Sequence, residues 1–245
     1  MLFFKRYKLP LALLSFVFVL YCVSQYIQHA QHKARIQRAE IKSKYLQYFS
    51  TYIIDAQKDG NLGVYESYVS SDDPIAPQLY EMYELVQGKK GIKRYACESG
   101  TRDFHDEKIM SYFASLPDLE EIEIKYSKLI GNSFEPFENH SVFRSLRLRS
   151  CCIKIDVYRS LTKVSGLREL TILSQSTTDT SDDDIRQTGL CSERKINAAE
   201  AAEIVNILCQ CKQLKNLVLD EEFLDWQDEI QKNLPDTTVQ FGITP

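Results

Sequence analysis

Four short apolar segments of this chain follow one pattern at near-regular intervals. Leu119-x-x-Ile122-x-Ile124 is followed by Phe143-x-x-Leu146-x-Leu148 and then, at the same offset, by Leu167-x-x-Leu170-x-Ile172. The pattern returns at Leu214-x-x-Leu217-x-Leu219, after nearly two further periods. Alternating apolar residues make each segment a strand with one face in a core. Recurrence at about 24 residues marks stacked units, each burying its apolar face against its neighbours. An architecture follows before any single side chain is interpreted, but an activity does not.

The segments between these strands read as helices. Asp106–Leu116 places Ile109, Met110, Phe113 and Leu116 on one face. Asn197-Ala-Ala-Glu200 has the form of a capping box ahead of Ile204, Ile207 and Leu208. Trp226 and Ile230 precede a closing Leu234-Pro235. Strand and helix alternating in short units predict an α/β fold with a parallel sheet on one side and helices on the other.

Continued past the strand, Leu119-x-x-Ile122-x-Ile124-x-x-Ser127-x-Leu129 and Phe143-x-x-Leu146-x-Leu148-x-x-Cys151-x-Ile153 resemble the leucine-rich repeat, L-x-x-L-x-L-x-x-N/C-x-L. Two later units keep the strand part and carry Gln175 and Glu222 in place of Asn. An earlier unit at Ile92-x-x-Tyr95-x-Cys97 and a last strand at Thr238–Phe241 extend the array. In that family the Asn side chain bonds loop backbone along the stack. Its absence here implies a short, irregular solenoid, expected over residues 91–245.

Ahead of the repeats, residues 1–30 read as a tail and membrane anchor. Lys5, Arg6 and Lys8 precede Leu9–Gln28, a run without a single charge. As a helix this run spans about 30 Å, the hydrocarbon thickness of a bilayer. A cleaved signal peptide is the competing reading. Tyr21, Gln25, Tyr26 and Gln28 crowd its cleavage site, which favours an uncleaved signal-anchor. Basic residues flank the run on both sides. The compact cluster before it sets the expectation of a short inside tail and an extracytoplasmic repeat domain.

Residues 31–90 read as a helical stalk and capping region. Ile41, Tyr45, Tyr48, Phe49, Tyr52, Ile53 and Ala56 form one apolar stripe. Asp59-Gly60-Asn61-Leu62-Gly63 then reads as a turn, and 64–76 as irregular. Thr177–Arg194 interrupts the period with Asp179, Asp182, Asp183 and Asp184. It lacks the glycine and terminal Glu of a calcium loop and reads as a solvated insertion.

Composition narrows the function classes. A formal charge of −4 and no dominant basic stretch argue against nucleic acid as a partner. Of seven Cys, Cys97 and Cys151 fall at repeat positions where a buried thiol serves as a small apolar residue. Neither Cys151-Cys152 nor Cys209-x-Cys211 has the spacing of a structural zinc site, and no metal or cofactor motif is present. No nucleophile elbow, phosphate loop, His-Glu-x-x-His or evident small-molecule substrate site is present.

The outward positions of the strands are the candidate binding residues. They are Glu121, Glu123 and Lys125, then Arg147 and Arg149, then Glu169, and later Asp220. Equal offsets between units set Glu123 beside Arg147. Such a face either neutralises itself or offers Arg147 and Arg149 to an acidic protein partner. The expected function is a membrane-anchored, non-catalytic interaction scaffold. The alternative is a membrane-tethered hydrolase or redox enzyme without a recognisable motif, of which His105 with Cys97 would be the kind of pair to look for.

Overall fold

Among the described residues seven strands lie side by side in chain order and all parallel, the inner five with alternate residues buried. They are β1 (Asn61–Tyr65), β2 (Arg94–Glu98), β3 (Glu121–Lys125), β4 (Ser145–Arg149), β5 (Glu169–Leu173), β6 (Asn216–Leu219) and β7 (Thr238–Phe241). The computed structural model describes residues 21, 23–29, 31–33, 36, 53–65, 83–98, 104–188 and 193–242. The expected ladder is present: Ile122 stands beside Leu146, Leu146 beside Leu170, and Leu170 beside Leu217. These and Ile124, Leu148, Ile172 and Leu219 are buried, and together they form the apolar column of the core. Burying each contributes about 1.5–3 kcal/mol.

The regular period has a backbone cause. Each of β3, β4 and β5 ends in a residue with left-handed φ: Tyr126 at 55°, Ser150 at 51° and Ser174 at 53°. The turn sends the chain into a second, narrower ladder. There Phe104–His105, Lys128–Leu129 and Cys152–Ile153 pair in parallel, and Cys152 bridges Ser176. The same turns link neighbouring units, since Tyr126 N–H donates to Arg149 O at 3.1 Å and Ser150 N–H to Leu173 O at 2.8 Å.

The backing layer holds α1 (Glu107–Ala114), α2 (Ile155–Leu161), α3 (Asp182–Thr188), α4 (Ala198–Leu208) and α5 (Gln227–Asn233). Asp106 caps α1 by accepting from Ile109 N–H, and Asn197 with Glu200 forms the capping box of α4. Between β3 and β4 a single 3-10 turn, Glu135–Phe137, replaces a helix. It is packed by Phe137 against Phe143, ring centroids 4.7 Å apart.

Two expectations are corrected. Asn61–Tyr65 is a strand, not a turn and irregular segment: it is the first strand of the sheet, paired with β2. The turn is confined to Gly60, whose φ of 74° ends the helical residues 53–59. The run Asn61-Leu62-Gly63 is too rich in turn formers for its strand character to show, and β2 supplies the pairing that overrides them. The acidic insertion is also more ordered than a solvated loop. Thr177–Thr178 pairs antiparallel with Glu193–Arg194, and α3 starts with Ser181 accepting from Asp184 N–H and buries Ile185. Its three Asp residues stand in the first turn, where the helix dipole favours negative charge.

Residues 1–48 form a unit distinct from 49–245. Its described residues are helical and exposed. Most of the expected span over residues 9–28 lies outside the described residues; Tyr21 and 23–28 are helix. Among the described residues, no helix is long and apolar enough to cross a membrane. The stalk residues 37–52 likewise lie outside them.

The left-handed turns give a first expected outcome. In the full chain, Ser150→Gly relieves the φ penalty and leaves stability unchanged or raised by up to about 1 kcal/mol, whereas Ser150→Val lowers it by about 1–2 kcal/mol. Thermal unfolding followed by circular dichroism separates the two. Equal melting of both variants would show that the turn is not under conformational constraint.

Candidate functional site

With Ile122 and Ile124 in the core, Glu121, Glu123 and Lys125 stand on the outer face of β3. The same alternation exposes Arg94, Ala96 and Glu98 on β2 and Arg147 and Arg149 on β4. The register sets Glu123 beside Arg147, as the equal offsets predict. The ion pair of Arg147 nevertheless runs diagonally. Arg147 reaches Glu121 at 3.1 Å, and Glu121 is shared with Arg94 Nε at 3.5 Å. Glu123 is held by the Arg94 guanidinium and approached by Lys125 at 3.7 Å, while Lys125 also meets Glu98 at 3.4 Å. Arg94 causes the rearrangement: it stands opposite Glu121 and its long arm spans both carboxylates. Arg94 and Glu98 are the members of this patch that the sequence candidates lack. They occupy the outward positions of the Ile92-x-x-Tyr95-x-Cys97 unit equivalent to Glu121 and Lys125, and that equivalence is the signal that finds them.

Arg149 stands apart from this lattice. It lies between Lys125 and Leu173 in the register, has no ion pair among the described residues, and its Nε is buried without a hydrogen-bond partner. Beyond it the outward positions Thr171, Val218 and Gln240 on β5, β6 and β7 are uncharged, Leu173 is buried, and Asp220 follows Leu219 in line with it. On the other side of the charged lattice, Gly63 and Ala96 leave a shallow recess of about 300 Å³, walled by Arg94, Glu98, Glu123 and Lys125.

The remaining candidates are not brought into the patch. Glu169 is exposed at the start of β5, next to Ser145 and Asn216, and among the described residues makes no ion pair with Arg147 or Arg149. Asp220 has a structural post. Its carboxylate accepts Ser174 N–H at 2.7 Å and Gln175 N–H at 3.1 Å. At the two earlier turns a backbone carbonyl of the next unit accepts the equivalent N–H. After β5 the acceptor from the next unit is a side chain instead, the Asp220 carboxylate that follows β6.

Among the described residues His105 and the cysteines are buried in the core. His105 is fully buried, with Nε2 3.2 Å from the Tyr95 hydroxyl and Nδ1 2.8 Å from Ser127 Oγ. Tyr95 Oη lies 3.4 Å from Tyr83 Oη and its ring stacks on Phe113. Burial pushes the His105 imidazole down to about 4, opposed only in part by the Asp106 carboxylate. Burial pushes the Cys151 and Cys211 thiols up to about 12, so neither is a thiolate at neutral pH. Cys97, Cys151, Cys152, Cys209 and Cys211 are buried and in no disulfide among the described residues. Among the described residues no three His, Cys, Asp or Glu side chains stand close enough to hold a metal ion.

Two outcomes follow. Asp220→Ala strands two backbone donors and is expected to cost about 1–3 kcal/mol in urea unfolding, against little for Glu169→Ala at the exposed neighbouring position. An equal, small effect of both would remove the capping role. For His105, the unfolded imidazole titrates near 6.5 and the folded one near 4. The unfolded chain therefore takes up the proton first. The contribution is complete above pH 6.5 and is lost as pH falls toward 4, about 3 kcal/mol in all. The stability gap between the parent chain and His105→Asn should thus narrow over that window, and a constant gap would refute it.

No family model matches this chain, and no curated protein matches it. Its likenesses among solved structures are loose and at low identity. An internalin (inlF) from Listeria monocytogenes str. 4b F2365 is 17% identical over 63% of this chain and 44% of its own, with a TM-score of 0.32. TLR13, solved in complex with ssRNA13, is 17% identical over 65% of this chain and 23% of its own, with a TM-score of 0.35. The chain spans less than half the length of either. The likeness is too loose to place a residue, and the architecture rests on the chain's own ladder.

Proposed function

We propose that this chain is a non-catalytic interaction scaffold of leucine-rich-repeat type, whose sheet face receives an acidic segment of a protein partner. Residues 9–28 hold it at a lipid bilayer, with the repeat domain on the extracytoplasmic side. The observation that carries the binding reading is Arg149. Its neighbours on the charged half of the face satisfy one another, whereas its own guanidinium has no ion pair among the described residues and borders Leu173. A cation without an ion pair on an otherwise self-satisfied face suits a partner carboxylate, since the pair would be partly desolvated on docking. Lys125 beside it adds positive potential without being free, because Glu98 and Glu123 hold it. The bilayer reading rests on the uncharged run that follows Lys5, Arg6 and Lys8.

Co-flotation tests both parts. The full chain is reconstituted into phosphatidylcholine vesicles and offered a library of acidic peptides. The parent chain is expected to float with the vesicles and to retain a subset of peptides, with salt-dependent affinity. Arg149→Glu should float equally but bind those peptides about 10–100-fold more weakly. Undiminished binding by Arg149→Glu would reject the face, and failure of the parent chain to float would reject the anchor.

A further inference from the structure

Among the described residues β7 is the last strand of the sheet, and its outer edge is unpaired. Thr238 N–H donates to Lys215 O at 2.8 Å and Gly242 N–H to Leu219 O at 3.0 Å. Backbone groups alternate sides along a parallel strand, so Gln240 also faces β6, while Val239 and Phe241 turn N–H and C=O outward. Among the described residues no strand takes up that outer edge. The side chains give a second, independent observation. Val239 and Phe241 stand in register with Leu217 and Leu219, which are fully buried, yet are themselves only half-buried. Beside them, the 3-10 segment Glu221–Trp226 leaves Leu224 47% exposed and Trp226 half-buried. Finally, β7 contains no charge and no proline, the devices that usually keep an edge strand from pairing.

We propose that β7 pairs antiparallel with β7 of a second copy of this chain, about a two-fold axis through Gln240. Val239 then stands opposite Phe241 of the second copy, and Phe241 opposite its Val239. The outward N–H and C=O groups of these residues close four hydrogen bonds. The pattern is its own complement, as an isologous contact requires. No like charges meet, since all four residues of the strand are neutral. The half-buried Val239 and Phe241 side chains lie on the core side of the strand, where the second copy supplies the missing cover. The two seven-stranded sheets become one. Because the axis is perpendicular to the sheet, both outer faces, each with its Arg149, look in the same direction.

The register makes a sharp test. Gln240 opposes Gln240 of the second copy as a non-hydrogen-bonded pair, with Cα atoms about 4.5 Å apart, within the range a disulfide spans. In the full chain in detergent micelles, Gln240→Cys is expected to give a covalent dimer on mild oxidation. It should form at least about tenfold faster than with Ser141→Cys in an exposed turn, since paired thiols react at a high effective concentration. The native thiols that are buried set the background in the parent chain. Adding Val239→Pro removes an outward N–H while sparing the bonds to β6, and should abolish the cross-link. Val239→Lys, which places like charges at the contact, serves should the proline variant not fold. Cross-linking no faster than Ser141→Cys would overturn the proposal, as would a cross-link that survives the edge variants. A dimer held by residues 9–28 alone would give the first of these results.

Discussion

Every inner strand of the sheet draws its backbone hydrogen bonds from the strands before and after it, so no unit is complete alone. Registration of successive units is therefore the constraint on which the rest depends. A slip of one residue between β3 and β4 would carry Ile122 and Ile124 to the outer face and Glu121 and Glu123 into the core. The left-handed turns at Tyr126, Ser150 and Ser174 fix this register from outside the sheet. Each stops a strand at the same point of the unit and delivers the chain to the second ladder. Two ladders locked by one repeated turn leave little freedom to slide.

The irregular places of the molecule are where that registration is interrupted, and each carries a local repair. The insertion between β5 and β6 nearly doubles the unit, but the strands still meet directly, with Glu169 beside Asn216. The added residues are absorbed in the Thr177–Arg194 excursion. Arg194 bridges Asp179 and Glu200 and so ties the excursion to the start of α4. Asp220 makes good the acceptor that the turn at Ser174 would otherwise lack. The buried Tyr83–Tyr95–His105–Ser127 chain of polar groups lies near the other end, where the second ladder starts. A histidine kept neutral in the core accepts and donates at once, which suits a position between two hydroxyls.

The sheet was legible in the sequence because its signal is repeated. Apolar alternation at Leu119–Ile124 alone would be ambiguous, and three copies at equal spacing are not. The capping box at Asn197 and the helix after Asp106 were legible for a different reason, since caps act within one turn. What did not show was whatever depends on one partner at long range. Asn61–Tyr65 becomes a strand only because β2 lies beside it. Glu123 and Arg147 are neighbours as the spacing says, yet exchange partners because Arg94 joins them from the preceding unit. Asp220 reads as a binding residue because it sits at an outward position. Nothing local reveals that two N–H groups 45 and 46 residues away need it.

The energetics separate the face from the fold. Its ion pairs join side chains that are 12–45% exposed, and pairs of this kind are worth about 0–1 kcal/mol each. One fully buried leucine of the column outweighs several of them. Charges on the outer positions can therefore change with little consequence for the ladder beneath. Their arrangement still matters for what they leave over. By satisfying one another, Arg94, Glu121, Glu123, Lys125 and Arg147 form a preorganised surface with few unmet demands, and among the described residues of this face Arg149 is the cation they leave unmatched. Selectivity on such a face comes from position more than from net charge. On the proposed binding reading, a segment whose carboxylate does not reach Arg149 would have to break ion pairs already formed in order to bind.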